Sequence, residues 1–398
     1  MKRTRRYALL AAMVLMAALP VLAQNIAVNS RIFRDGNAWV EEITGVATSP
    51  GLLRVDSELG NINVQGGPQK EIQFTVRKRV YNGSEEAARR DLASFRVSSL
   101  RRSDAVVLEG NAEGHPRRMS VEYQIQVPRD LQQLKVSTDG GSVNIRNLAG
   151  RVNAKTGGGN ISLADVAGPI SAETGGGNIE VANSTNLLNL STGGGSIRIN
   201  GARGKVNASS GGGNISLAGA SDIATLDTGG GSVKVEQCGA ELHVTSGGGS
   251  INVGDVSGTA RLDTGGGNIR LASARGAVIA NTGGGGIELF KLMQGAKAET
   301  GAGPITAEFL GITTDSSLQT SVGDVIVYLS PQAKVTVKAT LDMANGHQIR
   351  SDFPELKITT DGGGYGPKNY YAQGALNGGG PQLRIRTMSG NIEIRRAR

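Results

Sequence analysis

The chain is poor in the residues that commonly staple or fill a protein of its size. Its one cysteine, Cys238, excludes an intramolecular disulfide. Aromatic residues make up 4% of 398 positions, which excludes a core built on large rings. The three histidines, His115, His243 and His347, lie far apart with no metal-ligand spacing and read as surface or loop residues. Beyond residue 23 no apolar run is long enough to span a bilayer as a helix.

Residues 1–23 carry the one strongly apolar segment. Lys2, Arg3, Arg5 and Arg6 precede the apolar stretch Leu9 to Leu22, and Val21-Leu22-Ala23 offers a small-residue cleavage site before Gln24. That order predicts a secretory signal peptide. Pro20 interrupts the stretch and it is short for an anchor. No cysteine follows the cleavage site, so no lipid attachment is expected there. The mature chain is expected in the periplasm, at the cell surface or in the medium. The formal charge of +8 includes those four cations; without them 38 Lys and Arg face 34 Asp and Glu, a net +4. So mild and scattered a charge argues against a nucleic-acid or anionic-lipid partner.

What the chain has instead is 60 glycines at a fixed phase. TDGGSVNI starts at Thr138, TGGGNISL at Thr156, TGGGNIEV at Thr174 and TGGGSIRI at Thr192. Further copies start at Ser210, Thr228, Ser246, Thr264, Thr282 and Thr300, so ten copies keep a spacing of 18 residues with no insertion or deletion. A period this short predicts an all-β, single-chain parallel β-solenoid with one coil per repeat.

Counting from each Thr or Ser as zero, positions five and seven are aliphatic, as in Ile161 and Leu163 or Ile197 and Ile199. Positions 14 and 16 are aliphatic too, as in Leu188 and Leu190, while the residues between are polar, as Lys155, Glu173 and Arg198. This alternation predicts two short strands per coil with aliphatic inner columns and wet outer faces. The glycines mark the corner between them, where positive φ or close stacking is required. The Thr or Ser before each corner faces inward, where its hydroxyl can satisfy a turn amide; the column Thr138 to Thr300 is read as a structural ladder.

Around the array, 24–136 reads as a β-rich N-terminal cap. It carries a first coil at SELGNINV (57–64) and one short helix from Ser84 to Phe95, with Ser84 as N-cap. Such a cover protects the open end of a stack. The regular solenoid is assigned to 137–307 and irregular coils with a C-terminal cap to 308–398. There the next copy is placed at Ser321, 21 residues after Thr300; the Gly- and Tyr-rich 361–380 is read as a loop, and TMSGNIEI (387–394) as a last coil.

The early LGNINV, the segment VPRDLQQLKVSTDGGSVNI (127–145), the GGGNI units and the terminal SGNIEI together resemble the bacterial putative-adhesin family of exported β-solenoids. The resemblance covers most of the mature chain. It implies a β-solenoid and no catalytic residue, since the shared motif is structural and the family is otherwise of unknown function.

Other chemistries have narrower footholds. A carbohydrate-active β-helix enzyme, a lyase or hydrolase, needs paired carboxylates. Asp227 and Asp263 fall in one outward column two coils apart, ~9–10 Å by strand spacing, with His243 and Arg261 one column away. Thr245 stands between the two acids, and no inserted loops build a groove around them. Calcium is disfavoured because the corners carry Asn or Ser in place of a regular Asp, and ice binding because the column before the corner mixes charge. Cys238, in a column with Leu148, Val166 and Ala220, reads as a small buried hydrophobe. Tyr365, Tyr370 and Tyr371 are read as packing over the open end. The expected protein is a non-enzymatic scaffold that presents a polar surface to an envelope or cell-surface glycan or protein, with no cofactor. End-to-end self-association is a further possibility of an open stack.

Overall fold

The computed structural model describes residues 24–49, 51–102, 104–114, 119–344, 346–361 and 368–397. The expected signal peptide, His115 and Tyr365 lie outside them. Among the described residues there is one helix, and the strands gather into two long sheets of 19 and 18. The first is called here the threonine sheet, because its strands end in the ladder residues; the second is the isoleucine sheet.

Each coil contributes one strand to each sheet. Ile170–Thr174 and Leu188–Thr192 are parallel neighbours in the first, and Ile179–Ser184 and Ile197–Ala202 in the second. Thr156 pairs with Thr174 and Ile161 with Ile179, so every eighteenth residue stands over its predecessor. The inner columns are dry: Ile161, Ile179 and Ile197 are each 1% exposed. Five inward side chains per coil do not offset the ordering of eighteen residues, so each coil is stable only between neighbours.

The corner glycines work by space, not by φ. None from Gly140 to Gly303 at this corner has a left-handed φ. A Cβ at Gly177 would lie 1.9 Å from the carbonyl oxygen of Gly159 one coil back, and one at Gly175 2.2 Å from that of Gly157. Left-handed residues sit instead at the opposite bend, at Asn147, Asp165 and Asn183, types that tolerate that conformation. After the glycines a second ladder forms: Asn160 Oδ1 accepts from the Asn178 N–H, and Asn178 Oδ1 from the Ser196 N–H, both at 2.8 Å.

At the N-terminal end the coils are stacked out of chain order. Leu52–Ser57 and Asn61–Gly67 form a coil in register with the array, Ser57 beside Thr138 and Ile62 beside Val143. The following coil, Ala105–Ala112 and Met119–Pro128, lies on the other side of it. Antiparallel strands close the end: Phe95–Arg101 in the threonine sheet, and Glu71–Val80, Ala38–Thr48 and Val28–Asp35 in the isoleucine sheet. The helix Glu85–Ala93 is capped by Ser84 and buries Ala88 and Leu92 against Val80. It ends before Phe95, which already belongs to a strand. Lys78 holds its C-terminus, donating to the carbonyls of Leu92 and Phe95 at 2.8 Å, and pairs with Glu41.

Two sequence expectations at the C-terminal end need correction. Thr320, not Ser321, stands over Thr300, an offset of 20 residues. Val325 and Val327 therefore face inward, and Ile326 and Tyr328 lie between them on the outer face. The segment 361–380 is not all loop, because Asn369–Leu376 is a strand between Val335–Leu341 and Lys357–Asp361. The last coil, with Thr387 over Thr320, is inserted between the coil of Thr320 and strand Val335–Leu341.

Candidate functional site

Nine of the ten ladder hydroxyls make two bonds, and the last, Thr300, makes one. Thr174 Oγ1 accepts from the Gly177 N–H at 3.1 Å and donates to the Gly159 carbonyl of the coil before at 2.8 Å. Thr156, Thr192, Ser210, Thr228, Ser246, Thr264 and Thr282 repeat both bonds. Thr138 bonds back to Gly60 and forward to Gly141, and Thr300 donates to Gly285. All ten side chains are buried. Buried and bonded in this way, the column ties corner to corner.

Asp227 and Asp263 are placed as neighbours of Thr245 on either side, in one outward column of the threonine sheet. Asp263 is engaged: Arg261 Nε lies 2.8 Å from Oδ2, and Asn281 Nδ2 donates to Oδ1 at 2.6 Å. Arg261 is thus tied to one acid, and His243 is bonded to Glu241 at 2.8 Å, so neither bridges the pair. A shallow groove of about 430 Å³ follows this column past Asp263, Asn281 and Glu299, without Asp227. Among the described residues no three His, Cys, Asp or Glu side chains are grouped to hold a metal ion.

At the opposite bend a longer depression of about 850 Å³ runs from Asn183 to Ser257, opened by the missing side chains of Gly201 and Gly219. Cys238 lies beneath it, 1% exposed, its thiol pushed up from the ordinary value chiefly by burial. His347 lies near the C-terminal end and donates its backbone N–H to the Ala344 carbonyl. Tyr370 packs partly on the core, and Tyr371 is 36% exposed.

The polar face that the sequence pattern did not single out lies in the expected cap. There Gln73, Gln124, Gln126, Asn63 and Gln65 alternate with buried residues and line the outer face of the isoleucine sheet, where two depressions meet. The alternation in EIQFTV, VEYQIQV and NINVQ carries this signal once register is known. Beside it Glu42 bonds Arg77 at 2.8 Å and Arg31 at 2.6 Å, and these two guanidiniums, Arg77 first, hold its carboxyl below the usual range. Beneath, Tyr123 is fully buried with its hydroxyl 2.9 Å from Ser57 Oγ; desolvation pushes its pKa up to about 12.

A family model described as Toastrack DUF4097 matches residues 170–395. No curated protein matches the chain. Among solved structures, a putative cell adhesion protein from Clostridium sporogenes ATCC 15579 is similar at 10% identity and a TM-score of 0.17, over 90% of this chain and 100% of that one. A putative adhesin from Bacteroides fragilis NCTC 9343 is similar at 12% identity and a TM-score of 0.20, over 89% and 97%. Likeness at such scores bears on neither mechanism nor ligand.

Proposed function

The chain belongs to the Toastrack DUF4097 family, and from that premise we propose that it is a non-enzymatic, exported β-solenoid whose outer faces serve adhesion or the organisation of the cell envelope. The observation that carries this reading is the unbroken register from Thr138 to Thr300. It gives two flat polar faces and commits the one repeated hydroxyl to the interior. Export rests on the signal-like 1–23. Among the described residues no helix is long and apolar enough to cross a membrane.

The rival reading, polysaccharide cleavage at Asp227 and Asp263, is set against this one by experiment. The full-length protein and the Asp227→Asn, Asp263→Asn double variant are incubated with polysaccharides and assayed for new reducing ends and for unsaturated products. The scaffold reading expects no turnover by either protein, together with retention of the wild-type protein on envelope or host-cell surfaces. Turnover that disappears in the double variant overturns it.

A further inference from the structure

The outer face of the isoleucine sheet changes character along its length. Near its N-terminal end one row crosses the strands through Asn29, Thr44, Thr75, Gln124, Asn63 and Asn144, each the register neighbour of the next. Two residues along the strands, Gln73, Gln126 and Gln65 form a second row, which ends in Arg146 beside Gln65. None of the nine is charged. The same first row farther on reads Glu180, Arg198, Ser216, Lys234, Asn252, Arg270 and Glu288, so five of seven carry charge there. With Ser162, the next neighbour of Asn144 and the last before Glu180, the uncharged part of the row spans about 29 Å at a strand spacing of ~4.8 Å.

The amides are also held in place. Glu122 Oε1 accepts from Asn63 Nδ2 at 3.3 Å and from Gln124 Nε2 at 3.2 Å, and Asn63 Oδ1 accepts from Asn144 Nδ2 at 3.0 Å. The carbonyl oxygens of Gln124 and Asn144 keep no donor among the described residues. Over the same residues no side-chain hydrogen bond engages Gln73, Gln126 or Thr75. Two depressions of about 460 and about 420 Å³ adjoin here and share Gln124 and Gln126. The nearest charged row runs Arg31, Glu42, Arg77 and Glu122, two cations against two carboxylates, with both guanidiniums paired to Glu42.

We propose that this amide platform binds a neutral polysaccharide laid across the strands. Each amide presents donors and an acceptor together, which is what a sugar's adjacent hydroxyls require, and amides repeated at the strand spacing suit a ligand that itself repeats. An anionic polymer would meet a single cation here, Arg146, at the edge of the platform beside Gln65. A protein partner would lack an aromatic or aliphatic anchor, since Val46, 51% exposed, is the one large hydrophobe on the platform. The proposal rests on the binding function proposed above and names its ligand class.

The test is native affinity electrophoresis of the full-length protein through gels containing dextran, laminarin or galactomannan, with alginate as the anionic probe. The variants are Gln73→Glu with Gln126→Glu, and Lys234→Gln in the charged part of the same face; unchanged melting curves confirm that both fold. The expected result is retardation by at least one neutral polymer, weakened about tenfold or more in the double variant and kept in Lys234→Gln. Retardation by alginate alone, or retardation indifferent to the double variant, overturns the proposal. Adhesion of the wild-type protein to protein-coated surfaces with no retardation by any neutral polymer also overturns it, yet leaves the adhesive function standing; absence of all adhesion removes both.

Discussion

Thr174 and Gly159 sit fifteen residues apart in sequence and are joined across neighbouring coils by a 2.8 Å hydrogen bond from Oγ1 to the glycine carbonyl. The same hydroxyl accepts from the Gly177 N–H, so one buried group closes its own corner and fastens it to the corner before.

Replacing Thr192, equivalent and 3% exposed, by Val keeps the shape but leaves the Gly177 carbonyl and the Gly195 N–H without their partner. The expected loss is about 1–3 kcal/mol, read from denaturant unfolding. Thr192→Ser, which copies Ser210 and Ser246, is expected to cost far less. Equal losses for the two variants would mean that the hydroxyl contributes nothing.

The three glycines of a corner are not equivalent. A Cβ at Gly177 meets a backbone carbonyl, whereas one at Gly176 meets nothing within 4 Å, and Gly176 has no left-handed φ. The chain itself places Ala302 and Val322 at that middle position, Val322 being 59% exposed. Gly176→Ala is therefore expected to be neutral or to stabilise by about 0.4–1 kcal/mol through the unfolded state, and Gly177→Ala to destabilise by about 1–3 kcal/mol or more. Thermal melting of the two single variants decides it; a reversed order would contradict the stacking geometry.

The period of the repeat made the register of the central coils legible, because a strict 18-residue spacing with aliphatic residues at fixed phase admits one stacking. The slip at the C-terminal end had a physical origin. In SVGDVIVY both Val325 with Val327 and Ile326 with Tyr328 are apolar, so alternation does not choose a face, and a one-residue shift exchanges the two. The order of the end coils was not legible either. Ser57 stacks on Thr138 at a sequence separation of 81, and Thr387 on Thr320 at 67, and no local pattern encodes which coil is inserted between two others. The amide platform depends on that order, because Gln124 and Asn63 become neighbours through the out-of-sequence coil.

Tyr123 gives the fold an alkaline limit. Its pKa is raised to about 12 from 10.0, chiefly by burial, so above the unfolded value the unfolded chain loses a proton that the folded chain keeps. Stability is then full below pH 10 and falls as pH rises toward 12, by on the order of 2–3 kcal/mol from this group. Tyr123→Phe is expected to flatten this part of the profile, measured by urea unfolding at fixed pH steps. An unchanged slope would assign the alkaline loss elsewhere.

The central claim is that residues eighteen apart stand side by side. Spin labels on exposed Ser191 and Ser209, register neighbours in the threonine sheet, test it directly in a Cys238→Ala background, which copies Ala220 in the same column. Strand spacing of ~4.8 Å predicts strong dipolar broadening for this pair and none for Ser191 with Asn200, which lies on the other sheet. Broadening absent from the first pair, or equal in both, would contradict the stacked-coil architecture.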